Sequence, residues 1–255
     1  MEIIEAIIIA IIEGLTEFLP VSSTGHMILA STAMKIQDDE FVKTFEIFIQ
    51  LGAILAIAIM YFKRFFQGID IYIKLLIAFV PTAVIGFLAY DFIKAYLFDP
   101  VVVSVSLIVG GVVLIWIDDK VVRRESEIDS LENIPYKNAF YIGLIQCLSM
   151  IPGTSRAAAT IIGGVFNKLD KKQATEFSFL LAIPTMLAAT GYDLLKTPAA
   201  FNQQEIIILS IGLFFAFISA WLAVKIFLRI VENYGFKYFG YYRIIIGILF
   251  LWAMT

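Results

Sequence analysis

Residues Glu13–His26 read EGLTEFLPVSSTGH, two carboxylates, a proline, a run of hydroxyls and the chain's single histidine. A second such stretch, Gln146–Thr160, reads QCLSMIPGTSRAAAT and adds an arginine. Both lie in a chain of 255 residues that is 60% hydrophobic and 16% charged, with a mean hydropathy of +0.89. That composition is one of an integral membrane protein. A charge at the centre of a membrane helix costs about 2.5–3.5 kcal/mol on insertion scales. Glu13, Glu17 and Arg156 together therefore need partners, water or a ligand, and the two stretches read as one site.

Other classes fall away on composition. The net charge of −3 gives a nucleic acid no electrostatic footing. One cysteine, Cys147, excludes an internal disulfide and a thiolate metal cluster, and reads as a small buried residue. The opening MEIIEAIII lacks a basic region, so a cleaved signal peptide is not expected. The longest hydrophilic stretch, 118–138, reads as a loop and not a soluble domain.

A crossing needs about 20 apolar residues. Six segments approach that: Phe45–Phe62, Ile71–Tyr90, Val101–Ile117, Phe177–Leu195, Ile206–Ile230 and Phe239–Met254. Residues 3–19, 20–34, 139–151 and 152–166 are too short or too polar, and are expected to enter the membrane and turn back. Each such pair breaks at a proline, Pro20 or Pro152, which forbids a continuous helix and suits the start of a new one. Pro81 and Pro184, inside spans, predict kinks. Aromatic span ends such as Tyr234–Tyr238 read as interface anchors.

The two breaking prolines lie 132 residues apart, and the same offset puts Ser23 on Ser155, Asp38 on Asp170, Phe45 on Phe177 and Leu55 on Leu187. Each half then reads as a re-entrant pair followed by three spans. An odd number of crossings reverses the second half. The expected fold is therefore all-α, one membrane domain over 1–255, with an inverted-topology repeat of about 1–120 and about 135–255. The site is expected where the repeats meet. Fourteen lysines and arginines, Lys74, Arg123, Arg124 and Arg243 among them, fall on one side of this layout. Lys35, Lys43, Lys94 and Lys196 fall on the other. The positive-inside rule makes the first side cytoplasmic, puts both termini outside and opens the first hairpin outward.

Glu13 and Glu17, four apart, share a helix face. Something positive is needed between them: a divalent cation, His26, Arg156 or a shared proton. Ser22, Ser23, Thr24 and Gly25 open a helix whose first amides and hydroxyls form a cradle for an anion. His26, three residues after Ser23, is in reach of its hydroxyl, an arrangement suited to an activated nucleophile. In the second stretch Gly153, Thr154 and Ser155 repeat the cradle. Arg156 adds a planar fork for phosphate, with Thr160 one turn on. A phosphate or diphosphate is the ligand this donor set suits, and the glutamates point to a metal, Mg2+ with Ca2+ as the alternative. Glu46 and Gln50 share a face and read as supports of the site or headgroup-level residues, as does Glu176. Asp193 and Lys196 read as a pair at a span end.

The strings EGLTEFLPVSSTGHM and PGTSRAAAT, with FEIFIQLGAI and EFSFLLAIP, resemble the signature regions of the undecaprenyl-diphosphatase family, also called bacitracin-resistance proteins. The likeness extends over essentially the whole chain. It implies a plasma-membrane enzyme, commonly a homodimer, that hydrolyses a polyprenyl diphosphate to the monophosphate and phosphate and so recycles the carrier of cell-wall glycans. It carries the family's acidic motif onto Glu13 and Glu17, its serine–histidine portion onto Ser22, Ser23 and His26, and its arginine motif onto Ser155, Arg156 and Thr160. The family usually has serine directly after the arginine, where this chain has Ala157. On this reading Ser23 attacks the terminal phosphorus with His26 as base, and direct attack by activated water is the rival. A polyprenyl-phosphate flippase with the same pocket is the alternative function. Lipid phosphatases of the phosphatidic-acid type use two histidines, and this chain has one.

Overall fold

Ten α-helices make up the described part of the chain. The computed structural model describes residues 1–66, 68–96, 100–121, 128–196 and 201–254, with side chains undescribed at 65, 66, 91–96, 100, 120, 121, 253 and 254. In order they are α1 Ile3–Thr16, α2 Ser23–Ala33, α3 Glu40–Met60, α4 Asp70–Tyr96, α5 Pro100–Val121, α6 Tyr136–Gln146, α7 Arg156–Phe166, α8 Lys171–Lys196, α9 Gln203–Tyr234 and α10 Lys237–Met254. No strand occurs among the described residues.

Length separates the helices into two kinds. Among the described residues α3, α4, α5, α8 and α9 are long and apolar enough to cross a bilayer. A single helix hydrogen-bonds its own backbone, so a membrane accepts it. Large apolar groups such as Leu88, Phe214 and Trp252 stay exposed on the outer surface, as lipid contact requires. The 18-residue α10 packs along α5. The pairs α1–α2 and α6–α7 have 11 to 14 residues per helix, too short to cross.

The expected breaks are present, but each new helix starts later than its proline. Pro20 and Pro152 sit within the turns, and α2 and α7 begin only after Ser22 and Ser155. Pro81 and Pro184 lie inside continuous helices, as membrane helices tolerate.

Packing is closest where glycines leave room. A Cβ on Gly14 would lie 2.0 Å from Ser219 Oγ and 2.4 Å from Ala216 O, so α1 rests on the backbone of α9. Gly143 does the same for α6 on α4, 2.1 Å from Ala78 O. Alanine at position 14 must push α1, and the glutamates it carries, away from α9. Gly14→Ala should destabilise by about 1–3 kcal/mol and lower activity with it. Gly191, with nothing within 4 Å, is the control that should tolerate alanine. Thermal unfolding of the three proteins in detergent checks this.

Ser22 caps α2 as Ser155 caps α7, both at left-handed φ (72° and 71°), and Lys35 and Lys168 adopt the same φ region after the helices. In local conformation Ser155 thus resembles Ser22, where the 132-residue offset sets it against Ser23.

Charges also move. Arg243 lies wholly inside the protein, and Lys74 is buried against Asp70 and the carbonyl of Glu132, so neither is a loop charge. Arg123 and Arg124 fall outside the described residues.

Candidate active site

Both hairpin turns, with α4 and α8, enclose a cavity of about 490 Å3. Its polar end is formed by Glu17, Ser22, Ser23 and Thr24 from the first hairpin and Gly153, Ser155 and Arg156 from the second. Its longer wall is largely apolar, built by Phe79, Ala83, Gly86 and Phe87 on α4 and Met186, Ala188 and Ala189 on α8.

Local structure explains how the turns reach this point. Ser22 and Ser155 adopt a backbone conformation that costs a non-glycine residue about 1–2 kcal/mol. Each repays part of it by capping, accepting from Gly25 N at 3.4 Å and from Ala158 N at 3.2 Å. The first turns of α2 and α7 therefore bring unpaired amides and the positive ends of two helix dipoles to one cavity. Gly153, at φ 89°, meets α5 so closely that a Cβ would lie 2.4 Å from Val103 O. Its glycine is required by packing as well as by approach to the cavity.

Three side chains form a continuous chain there. Ser23 Oγ donates to Glu17 Oε2 in a very short contact, and Arg156 Nη2 meets Glu17 Oε1 at 3.0 Å. Arg156 is aimed by its other contacts: Nη1 donates to Ser178 O at 3.1 Å, Nη2 lies 3.4 Å from Met186 Sδ, and the guanidinium covers the Phe18 ring at 5.4 Å. Its buried Nε has no partner. A serine held by a carboxylate, beside a guanidinium with a donor to spare, can bind an oxyanion and activate a hydroxyl toward it.

The expected contact between Ser23 and His26 is absent. His26 Nδ1 donates to Ser22 O at 2.7 Å, and Nε2 lies 2.7 Å from the Tyr242 hydroxyl. A residue three positions on is a helix-surface neighbour, but this ring folds back along α2 to the turn behind it. Ser23 turns to Glu17 instead. Gly25, His26, Thr154 and Thr160 do not line the cavity. Thr160 Oγ1 is tied to Arg156 O and Ser178 Oγ, at 2.9 and 2.6 Å, which braces α7 on α8 below the arginine.

Glu13 is 0% exposed, and neither carboxylate oxygen has a hydrogen-bond partner. It sits one turn before Glu17, within electrostatic reach of Glu17, Glu46 and Arg156. No group of three or more metal-type side chains occurs among the described residues. Gln50 lines the cavity and accepts from Thr190 at 3.1 Å, whereas Glu176 is paired with Arg64 away from it. Asp193 also lines the cavity, accepting from the Tyr90 hydroxyl, with Lys196 Nζ 4.2 Å over the Tyr90 ring.

The residue that sequence reasoning misplaced is Arg243. From α10 its guanidinium donates to Pro20 O (3.0 Å) in the first turn and to Gly153 O (2.8 Å) and Thr154 O (2.9 Å) in the second. It also reaches Ser106 O and Leu107 O on α5 at 3.1 and 3.3 Å. The signal was available: an arginine early in an otherwise apolar span, Phe239–Met254, that a bilayer would not accept unpaired.

Comparison with known proteins places the chain in one family. The family model for the bacitracin resistance protein BacA matches residues 6–249. Curated relatives named undecaprenyl-diphosphatase are similar along nearly their whole length. The one from Wolinella succinogenes is 51% identical, covering 100% of this chain and 99% of its own. That from Persephonella marina is 51% identical, covering 98% of each. That from Flavobacterium psychrophilum is 52% identical, covering 98% of this chain and 95% of its own.

Proposed function

Because the chain belongs to the bacitracin resistance protein BacA family, we propose that the cavity between its hairpins is where undecaprenyl diphosphate is hydrolysed. The chain is a multi-pass membrane enzyme that converts this lipid to undecaprenyl phosphate and inorganic phosphate. The observation that carries the site is the Ser23–Glu17–Arg156 chain in a cavity that also has a largely apolar wall on α4 and α8. A lipid diphosphate is amphipathic in the same sense. Its head suits the helix starts and Arg156, and the first part of its tail suits the wall of α4 and α8.

In the mechanism we favour, Ser23 Oγ attacks the terminal phosphorus while its proton passes to Glu17. The new Ser23 O–P bond forms as the bond to the bridging oxygen breaks, and undecaprenyl phosphate leaves. Water then attacks the phosphoserine as the Ser23 O–P bond breaks, Glu17 passing the proton it holds to Ser23 Oγ and taking one from the water, which it gives up to solvent as phosphate is released. Arg156, Ser22, Ser155 and the amides of the two helix starts stabilise the charge on the phosphoryl oxygens. His26, holding the carbonyl of Ser22, fixes the turn that presents Ser23, a positioning role in place of the base expected from sequence.

A divalent cation on Glu13 and Glu17 would have to displace Ser23 or Arg156 from Glu17, and Glu13, buried directly beside it, does not line the cavity. Bound there, it would supply positive charge toward the diphosphate.

The halves are further proposed to be an inverted repeat. Exchanging α1 with α6, α3 with α8 and α4 with α9 turns the contact of α1 on α9 into that of α6 on α4. The same exchange turns α3 on α9 into α8 on α4. Termini outside, a cavity opening outward and a homodimer complete the reading. Orientation now rests on a positive bias without Arg243 and Lys74. In intact cells of a Cys147→Ser background, Gln37→Cys should react with an impermeant maleimide and Lys172→Cys should not. The reverse pattern overturns the orientation.

Phosphate release by purified protein from undecaprenyl diphosphate tests the site. Ser23→Ala should lower kcat at least a thousand-fold, and acid quenching of the wild type with terminally labelled substrate should leave label on Ser23. Near-normal turnover by Ser23→Ala would leave water as the nucleophile.

A further inference from the structure

The mechanism above leaves one contact unused. Tyr242 is neighbour to Arg243 on α10, and its ring is stacked on His26, with centroids 5.6 Å apart and planes within 5°. Its hydroxyl is 2.7 Å from His26 Nε2. The other ring nitrogen, Nδ1, faces a carbonyl oxygen, which can only accept, so Nδ1 carries the proton. In the neutral ring Nε2 is then the acceptor, and the Tyr242 O–H is the donor. This tautomer is the one that keeps Nδ1–H on Ser22 O.

The consequence runs through the turn. Ser22 is held at φ 72°, a conformation it does not prefer, directly before Ser23. Its carbonyl orientation is fixed by His26, and the ring of His26 is fixed on its far side by Tyr242. Tyr242 is itself immobilised, because the next residue is bonded to both hairpin turns and to α5. The order Arg243, Tyr242, His26, Ser22, Ser23 is an unbroken line from a side chain bonded to both hairpin turns to the cavity hydroxyl.

We propose that Tyr242 is a positioning residue for the hydrolysis, setting the tautomer and orientation of His26 and through it the turn that presents Ser23. The proposal rests on the reading, given above, that His26 serves the reaction by holding that turn.

Tyr242→Phe keeps the ring and its stacking and removes only the hydroxyl. It should lower kcat about five-fold, in the range of one lost hydrogen bond, with KM for undecaprenyl diphosphate within two-fold and an unchanged melting temperature. The cycle with His26→Ala distinguishes the two ideas. If Tyr242 acts through His26, His26→Ala is strongly impaired and adding Tyr242→Phe changes nothing further. A strongly impaired His26→Ala beside a fully active Tyr242→Phe overturns the proposal and leaves the role of His26 standing. An equal loss from Tyr242→Phe in both backgrounds also overturns it, since the hydroxyl would then act elsewhere. Full activity of His26→Ala removes the underlying reading, whatever Tyr242→Phe does.

Discussion

Glu17→Gln is expected to lower kcat by about a thousand-fold while leaving the protein folded, within the range for loss of a positioned proton acceptor. Glutamine has the same size and can still meet Arg156 and Ser23, but it cannot take the hydroxyl proton. It also removes the negative charge that sets the guanidinium opposite Ser23, a pair whose side chains are 8% and 10% exposed. Glu17→Asp, which keeps the charge and shortens the reach, should recover part of the loss. Glu17→Ala should be worse in stability as well, because it leaves Arg156 buried without its carboxylate. Steady-state phosphate release gives kcat, and a melting curve in the same detergent separates chemistry from folding. The labelled phosphoserine expected in the wild type should not form at a measurable rate in Glu17→Gln. Label accumulating at the normal rate would mean that Glu17 works only in the second step, and turnover within ten-fold of wild type would remove it from both.

The fold was legible where physics makes one demand at a time. Membrane thickness requires long apolar helices, and the segments at Phe45, Ile71, Val101, Phe177 and Ile206 fall within helices that meet it. Prolines in short polar segments require a break, and both hairpins turn near them. The spacing of the proposed repeat was not legible, because a turn adds or drops residues with little penalty while helix faces must stay in register. On that proposal Ser22 pairs with Ser155 and Gly14 with Gly143, at different spacings.

The site was legible in its residue types and less so in its pairings. A bilayer excludes unpaired charge, so Glu17 and Arg156 had to meet something, and they meet each other. Which hydroxyl or carbonyl each polar side chain chooses depends on rotamers that spacing does not fix. The hydroxyl of Ser23, the ring of His26 and the carboxylate of Glu17 could pair in several ways along α1 and α2. The observed choice, Ser23 on Glu17 and His26 on Ser22 and Tyr242, depends on α10, more than 200 residues away. Arg243 was misplaced for a related reason. Carbonyls exposed by a turn inside the membrane are invisible in sequence, yet they need donors as strictly as charges need partners.

That need gives the second large effect. Arg243→Met should prevent the hairpins from docking: the variant is expected to be inactive and to melt at least 10 °C below wild type, or to aggregate on extraction. Three turn carbonyls, from Pro20, Gly153 and Thr154, lose their donor together, while those of Ser106 and Leu107, inside α5, lose one contact each and keep their helical partners. Each buried acceptor left unpaired costs about 1–3 kcal/mol, so even a partly relaxed structure gives up a large share of the 5–15 kcal/mol that keeps a typical domain folded. Methionine fills much of the volume, which isolates the hydrogen bonds from packing. Gly110 marks how tightly the guanidinium is housed, since a Cβ there would lie 2.2 Å from Arg243 Nη2. Gly110→Ala should therefore reproduce a milder form of the same defect without touching the arginine. Arg243→Lys should fall between, because three donors on one nitrogen cannot reach acceptors spread over two turns and a helix. An Arg243→Met protein with wild-type melting and turnover would show that the turns are held by something other than this clasp.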